Sequence, residues 1–112
     1  MRLVPLSAMF VPLLAMAAPA SAATLDCAEL GTVKSQNSPD FVVVNFHNAT
    51  TETRQLNWVS LDGEVIEYVT IRPDRRVGQP VGTGDYWVIA DEAGECVFLY
   101  KAEVAETFEI TE

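Results

Sequence analysis

Few residues of this chain could carry out acid–base, nucleophilic or metal chemistry. His47 is the only histidine, and its place at the end of an apolar run favours a strand-end or structural role over that of a catalytic base. Zinc sites need about four His, Cys or carboxylate ligands, and the acidic stretches "DGE" and "DEAGE" lack the alternating acids of a calcium loop. The chain is therefore predicted to be no enzyme, with neither a metal nor a cofactor.

The two cysteines, Cys27 and Cys96, are predicted to form a disulfide. An even cysteine count in a small exported domain indicates a bridge, and closing this long loop would stabilise the fold by about 4 kcal/mol. The bridge would fasten the N-terminal segment to the domain. Intermolecular pairing and a reactive thiol are the alternatives.

Three large aromatic residues, Trp58, Tyr68 and Trp87, could form either core or binding surface. Strand alternation gives each of them mixed apolar and polar companions, so the pattern does not separate these two roles. Large aromatics dominate small cores, which favours packing on composition alone. Asn48 begins a "NAT" glycosylation signal, although a turn-forming role is preferred for it.

Residues 1–22 have the order of a secretory signal peptide: one basic residue, an apolar run, and the small-residue site "ASA". Removing them leaves six basic and sixteen acidic residues, a net charge of −10. Such a surface repels nucleic acid and anionic membranes and favours a cationic or neutral partner. We expect a secreted or periplasmic protein with no membrane association after cleavage.

The elements that would position these residues are short strands. An Asp-Gly turn at 62–63 between two apolar runs predicts a hairpin, and no segment shows helical periodicity over a useful length. The pattern predicts a single, seven-stranded antiparallel β-sandwich over residues 40–112, preceded by a lead-in at 23–39. The strands are predicted at 41–47, 54–61, 64–71, 77–81, 86–91, 95–102 and 107–111.

The order of motifs resembles the β domain of the von Hippel-Lindau tumour suppressor family and its small secreted relatives. The resemblance covers about residues 40–111 and rests on "VVVNFHNAT", "WVSLDGEVIEY", "IRPD", "GDYWVIADEAGECVFLY" and "FEIT". It implies a seven-stranded sandwich and a surface pocket around a proline-type ring, lined by Trp58, Tyr68 and Trp87. An extended proline-containing peptide suits rigid aromatic walls because its backbone has already lost much of its freedom.

Two positions of this implied pocket depart from the family. Val81 and Asp85 stand where the family has the serine and histidine that hydrogen-bond a hydroxyproline hydroxyl, and valine offers no such bond. The helical domain that recruits the ubiquitin-ligase scaffold is also absent, so no ligase role is expected.

The sequence thus predicts an exported, non-enzymatic module that binds an extended proline- or hydroxyproline-containing peptide through Trp58, Tyr68, Val81, Asp85 and Trp87. Two alternatives stay open. The aromatics could be core residues of a structural or protein-interaction module, or they could form the platform of a carbohydrate-binding accessory domain.

Overall fold

The computed structural model describes residues 24–112, and the predicted signal peptide lies outside this range. Eight strands and one 3-10 helix (Cys27–Thr32) make up the fold. The strands are β1 (Thr24–Leu25), β2 (Phe41–Asn48), β3 (Arg54–Val59), β4 (Val65–Ile71), β5 (Arg76–Gly82), β6 (Tyr86–Ala90), β7 (Cys96–Lys101) and β8 (Glu106–Ile110). Within residues 24–112, no helix has the length and apolar character needed to cross a bilayer.

The strands form two sheets. The first sheet has the order β1-β7-β6-β3-β4, and the second has the order β5-β2-β8. The all-β class is confirmed, and the seven predicted segments correspond to β2 to β8. The predicted count of seven is wrong, because two residues of the lead-in pair with β7 as an additional strand, β1.

The expectation of a fully antiparallel sandwich is also wrong. Strand β8 pairs with β2 in parallel, with Phe46 opposite Phe108. A parallel pair requires a long crossover connection, and here that connection contains the whole of the chain between β2 and β8. The alternation of side chains along a strand is the same in both pairings, so the sequence pattern does not distinguish them.

The main core lies between the two sheets. Its fully buried members come from both of them: Val44, Phe46, Leu56, Ile71, Val81, Trp87, Ile89, Tyr100, Ala102 and Ile110. Phe46 packs edge-on against Tyr100 with ring centroids 5.5 Å apart, as favoured by the quadrupoles of aromatic rings.

The lead-in covers the outer face of the first sheet. Leu25, Leu30 and Val33 pack against a second apolar cluster of Val59, Val88, Ala90 and Leu99. The Cys27–Cys96 disulfide, which confirms the predicted pairing, holds this segment in place. A bridge of this kind is typical of a protein that folds in an oxidising compartment.

The β3–β4 hairpin turns at Asp62 and Gly63, as predicted. Gly63 has a φ of 89°, which glycine adopts without the steric penalty that a Cβ would bring. The Ser60 hydroxyl accepts hydrogen bonds from the backbone N–H groups of Asp62 and Glu64. The turn is therefore closed by side chain as well as backbone, which sets the register of the hairpin.

Asn48 is completely buried at the end of β2. Its Nδ2 donates to the carbonyls of Glu52 and Ile71, and its Oδ1 accepts from the backbone and the hydroxyl of Thr50. The side chain thus fastens the loop that follows β2, in agreement with the preferred turn role. A glycan on this amide is incompatible with the folded structure.

Candidate functional site

A surface recess of about 160 Å³ lies beside the Trp58 ring, and we call it the Trp58 recess. It forms where the lead-in, the first residue of β2, the β3–β4 hairpin and the end of β5 meet. Its lining residues are Gln36, Asn37, Ser38, Phe41, Trp58, Leu61, Gly82 and Asp85. Phe41 is 71% exposed and Leu61 46% exposed, so the rim is apolar and open to solvent.

Three aromatic rings run from the recess into the core. Trp58 on β3 stands directly opposite Trp87 on β6. The Tyr68 ring on β4 lies 6.3 Å from that of Trp58 and 5.1 Å from that of Trp87, the latter edge-on. Tyr68 occupies the point where the β3–β4 register shifts between Leu56 and Asn57. This bulge places the phenol on the same face as the two indoles.

The three rings differ in burial. Tyr68 is 52% exposed, Trp58 is half-buried, and Trp87 is only 2% exposed. The Trp87 ring also lies 6.4 Å from that of Phe46 in the opposite sheet. Its indole N–H is buried without a hydrogen-bond partner.

The sequence interpretation placed Val81 and Trp87 on an open surface, and the structure corrects this placement. Val81 is 1% exposed, because alternation along β5 turns it towards the other sheet. Trp87 lies on an inner strand that the second sheet covers. Of the five predicted site residues, Trp58 and Asp85 line the recess and Tyr68 flanks it. Val81 and Trp87 lie beneath it in the core.

Asp85 lies at the base of the recess with its carboxylate already engaged. Oδ2 accepts the Gly82 backbone N–H at 2.9 Å. Burial raises the pKa of Asp85, and hydrogen bonding to the Gly82 backbone and to the Trp58 and Ser35 side chains partly opposes the rise. A Cβ at Gly82 would lie 3.2 Å from Oδ2, so glycine permits this close approach.

The lead-in supplies one wall of the recess, which sequence reasoning missed. Ser35 is buried; its backbone N–H donates to the Ser60 carbonyl, and its hydroxyl accepts from the Tyr86 backbone N–H at 2.8 Å. The Ser38 hydroxyl hydrogen-bonds that of Thr83 at 2.8 Å. No local pattern announces these contacts, because they join residues far apart in the chain.

Phe41 was also missed as a site residue. It opens β2, where its aromatic character predicts a strand, but the same character gives no sign of exposure. In the structure it stands opposite Gly82 at the open end of the second sheet. Phe41 and Trp58 are thus the two aromatic side chains that line the recess.

The geometry around His47 supports no catalytic step. Its Nδ1 lies 2.8 Å from Glu109 Oε1 and its Nε2 lies 3.2 Å from Asp74 Oδ1. Both ring nitrogens are thus engaged by carboxylates, and no nucleophile is among these contacts. In the described part of the chain, no group of three or more His, Cys, Asp or Glu residues is arranged to hold a metal ion.

A second cleft, of about 300 Å³, lies between β8 and the β1–β7 edge. Phe98 and Phe108 form its apolar floor, and their rings meet edge-on at 5.9 Å. Its two acids are engaged, Glu106 by the Tyr100 hydroxyl and Glu109 by His47. The Trp58 recess has the more exposed aromatic rim, and it is the candidate site.

Neither a protein-family model nor a curated protein matches this chain.

Proposed function

We propose that this chain is an exported, non-enzymatic binding module that holds an extended, proline-containing peptide in the Trp58 recess. The observation that carries the proposal is the size and lining of the recess. A cavity of about 150 Å³ holds a single benzene-sized ring, and the Trp58 recess measures about 160 Å³. One pyrrolidine ring fits a space of this size between Trp58, Phe41 and Leu61.

Aromatic walls suit a proline because both partners are rigid. Proline-rich segments already favour an extended backbone, so little further entropy is lost on docking. Trp58 is held by Asp85 and packs against Tyr68. The wall is therefore formed before the ligand arrives, as in other preorganised sites. The resemblance to the von Hippel-Lindau β domain supports the same ligand class.

Unmodified proline is the form we propose, rather than hydroxyproline. A buried hydroxyl without a partner costs about 1–3 kcal/mol. Val81 is sealed in the core and offers no hydrogen bond, and the Asp85 carboxylate already accepts the Gly82 N–H. The family's means of holding the hydroxyl thus has no counterpart at these two positions.

Export agrees with the oxidised Cys27–Cys96 pair, since such bridges persist outside reducing compartments. The acidic net charge of the mature chain favours neutral or basic peptides.

The proposal is tested by titrating the exported chain with a proline-rich peptide while following tryptophan fluorescence. We expect a shift that saturates, and an affinity that falls about tenfold in Trp58→Ala, the loss of about 1.4 kcal/mol of contact energy. Thr107→Ala on β8, an exposed position remote from the recess, is the control and should leave the affinity unchanged. The matched hydroxyproline peptide should bind more weakly.

The absence of a fluorescence shift with any proline-rich peptide would overturn the proposal. It would favour a structural module whose aromatics serve only for packing, an interpretation that the burial of Trp87 already supports for that one residue.

A further inference from the structure

Two edge strands lie near the Trp58 recess: β5 ends at Gly82, which lines it, and β4 carries Ile66, the cross-strand partner of Trp58. Strand β4 is outermost in the first sheet and β5 is outermost in the second, among residues 24–112. An edge strand presents unpaired backbone groups that can pair with another chain. The two edges differ in what they offer to an incoming peptide.

The β5 edge lacks donors near the recess. Gly82 directs its N–H outward, where Asp85 Oδ2 accepts it. Backbone groups of an antiparallel strand alternate between the partner and the outside, so Pro80 faces outward as well. Proline has no N–H. The two outward positions of β5 closest to the recess therefore have no donor to share.

The β4 edge, in contrast, has outward-facing backbone N–H groups that an incoming strand can use. The Ser60 N–H donates to the Glu64 carbonyl at 2.7 Å and begins the β3–β4 ladder. Alternation then directs the backbone groups of Val65 and Glu67 outward. Edge strands of natural sheets are commonly protected by charged residues or proline. Strand β4 instead carries three exposed apolar or aromatic side chains: Val65 is 45% exposed, Ile66 40% and Tyr68 52%.

The two faces of β4 have different chemistry. Ile66 pairs with Trp58 and shares the face of the recess. Val65 and Glu67 lie on the other face, where Glu67 stands opposite Asn57. Asn57 is 6% exposed and its side-chain oxygen is buried with no hydrogen-bond partner. Both residues line a shallow depression of about 90 Å³.

An unpartnered buried acceptor beside a carboxylate favours a ligand that brings hydrogen-bond donors and positive charge. Lysine and arginine side chains supply both. The net charge of the mature chain, −10, adds long-range attraction for such a ligand.

We propose that the peptide adds to the first sheet as an antiparallel strand along β4, with proline or apolar residues on the recess face and lysine or arginine on the Glu67 face. The proposal rests on the proposed function, and it names the sequence pattern and the docking mode of that ligand.

The backbone geometry explains why proline is tolerated in this strand. Peptide residues that exchange hydrogen bonds with Val65 and Glu67 lie directly opposite them, so their side chains lie on the Glu67 face. Residues on the recess face point their N–H groups away from β4. A proline there gives up no hydrogen bond to the sheet.

The first test uses an alternating lysine–proline octapeptide and tryptophan fluorescence of the exported chain. Replacing the amide N–H of each of the two central lysines by an ester oxygen removes donors without changing side chains. We expect the affinity to fall by about tenfold or more, since each net hydrogen bond contributes about 1 kcal/mol. An alternating glutamate–proline peptide is the charge control and should bind far more weakly.

The second test changes the protein edge. Val65→Pro removes an outward N–H while leaving the ladder with β3 intact, and Val65→Thr is the matched control that keeps the N–H. We expect about a tenfold loss of affinity for the proline variant and little change for threonine. If Val65→Pro does not fold, the comparison of the amide and ester peptides tests strand addition in its place.

The outcomes separate the two proposals. Binding that Trp58→Ala weakens about tenfold but that ester substitution and Val65→Pro leave unchanged would overturn strand addition and retain the recess as a proline site. The absence of binding by any proline-containing peptide would overturn both. A chain that forms dimers sensitive to Val65→Pro would assign the β4 edge to a second copy and overturn the peptide as its occupant.

Discussion

Trp58 and Trp87 are direct cross-strand neighbours with opposite surroundings. Trp87 is sealed between the sheets, whereas Trp58 lies under the open rim of the recess. The difference arises because the three-stranded sheet covers only part of the five-stranded one. Position in the sheet, and not residue type, separates the two roles.

Replacing these two tryptophans by alanine should therefore have unequal effects on stability. Trp87→Ala leaves a core cavity and should lower the free energy of unfolding by about 3–5 kcal/mol. Trp58 is only half-buried, so Trp58→Ala should lower the free energy of unfolding by about 1–2 kcal/mol. Urea denaturation of both variants measures the difference. Equal losses would contradict the assignment of one ring to the core and the other to the site.

At the scale of elements, the lead-in has two structural roles. Leu25, Leu30 and Val33 cover the outer cluster, and the Ser35 side chain contacts the Asp85 carboxyl below the recess. The disulfide joins the first residue of the 3-10 helix to the first residue of β7. Cross-linking this long loop restricts the unfolded chain and stabilises the native one.

Removing the disulfide should destabilise the protein by up to about 4 kcal/mol. The double variant Cys27→Ser, Cys96→Ser tests this by chemical denaturation. Reductant should lower the stability of the wild type and leave the double variant unchanged, which controls for other effects of the reagent. A wild type as stable in reductant as without it would show that packing alone holds the lead-in.

At the scale of the whole molecule, His47 joins two strands of the second sheet and the connection between the sheets. It lies on β2 and contacts Glu109 on β8 and Asp74 in the connection between β4 and β5. The pKa of His47 is raised most by its hydrogen bond to Glu109 and next by its hydrogen bond to Asp74. The positive charge of nearby Arg76 lowers this pKa. The protonated ring therefore tightens the parallel β2–β8 pair.

The contribution of His47 to stability should depend on pH with a defined sign. It is complete below the pKa of an unfolded histidine, about 6.5, and is lost as the pH rises through the higher pKa of the folded state. The gap in unfolding free energy between the wild type and His47→Gln should thus be larger at about pH 5.5, below the ordinary histidine pKa, and should shrink as the pH is raised through the folded-state pKa.

NMR titration of the His47 ring supplies the matching control. Glu109→Gln should lower the His47 pKa more than Asp74→Asn does, because Glu109 is the larger cause of its rise. A His47 pKa at its ordinary value in the wild type would contradict this account.

Much of the fold was predictable because its signals are local. Strand alternation, the Asp62-Gly63 turn and the cysteine pair together predicted the seven main strands and the disulfide. The two-residue β1 and the parallel pairing of β8 were not predictable, since neither leaves a periodic pattern of its own. Among the site residues, Trp58, Tyr68 and Asp85 were named from sequence and lie at the recess.

Local sequence thus determined which residues form strands, where the chain turns, and how acidic its surface is, since each depends on neighbours along the chain. Only the tertiary structure decided that Trp87 and Val81 are buried, that Phe41 and the lead-in complete the recess, and that β4 rather than β5 presents an open edge. These outcomes depend on how far one sheet extends over the other, which residues distant in the chain determine together.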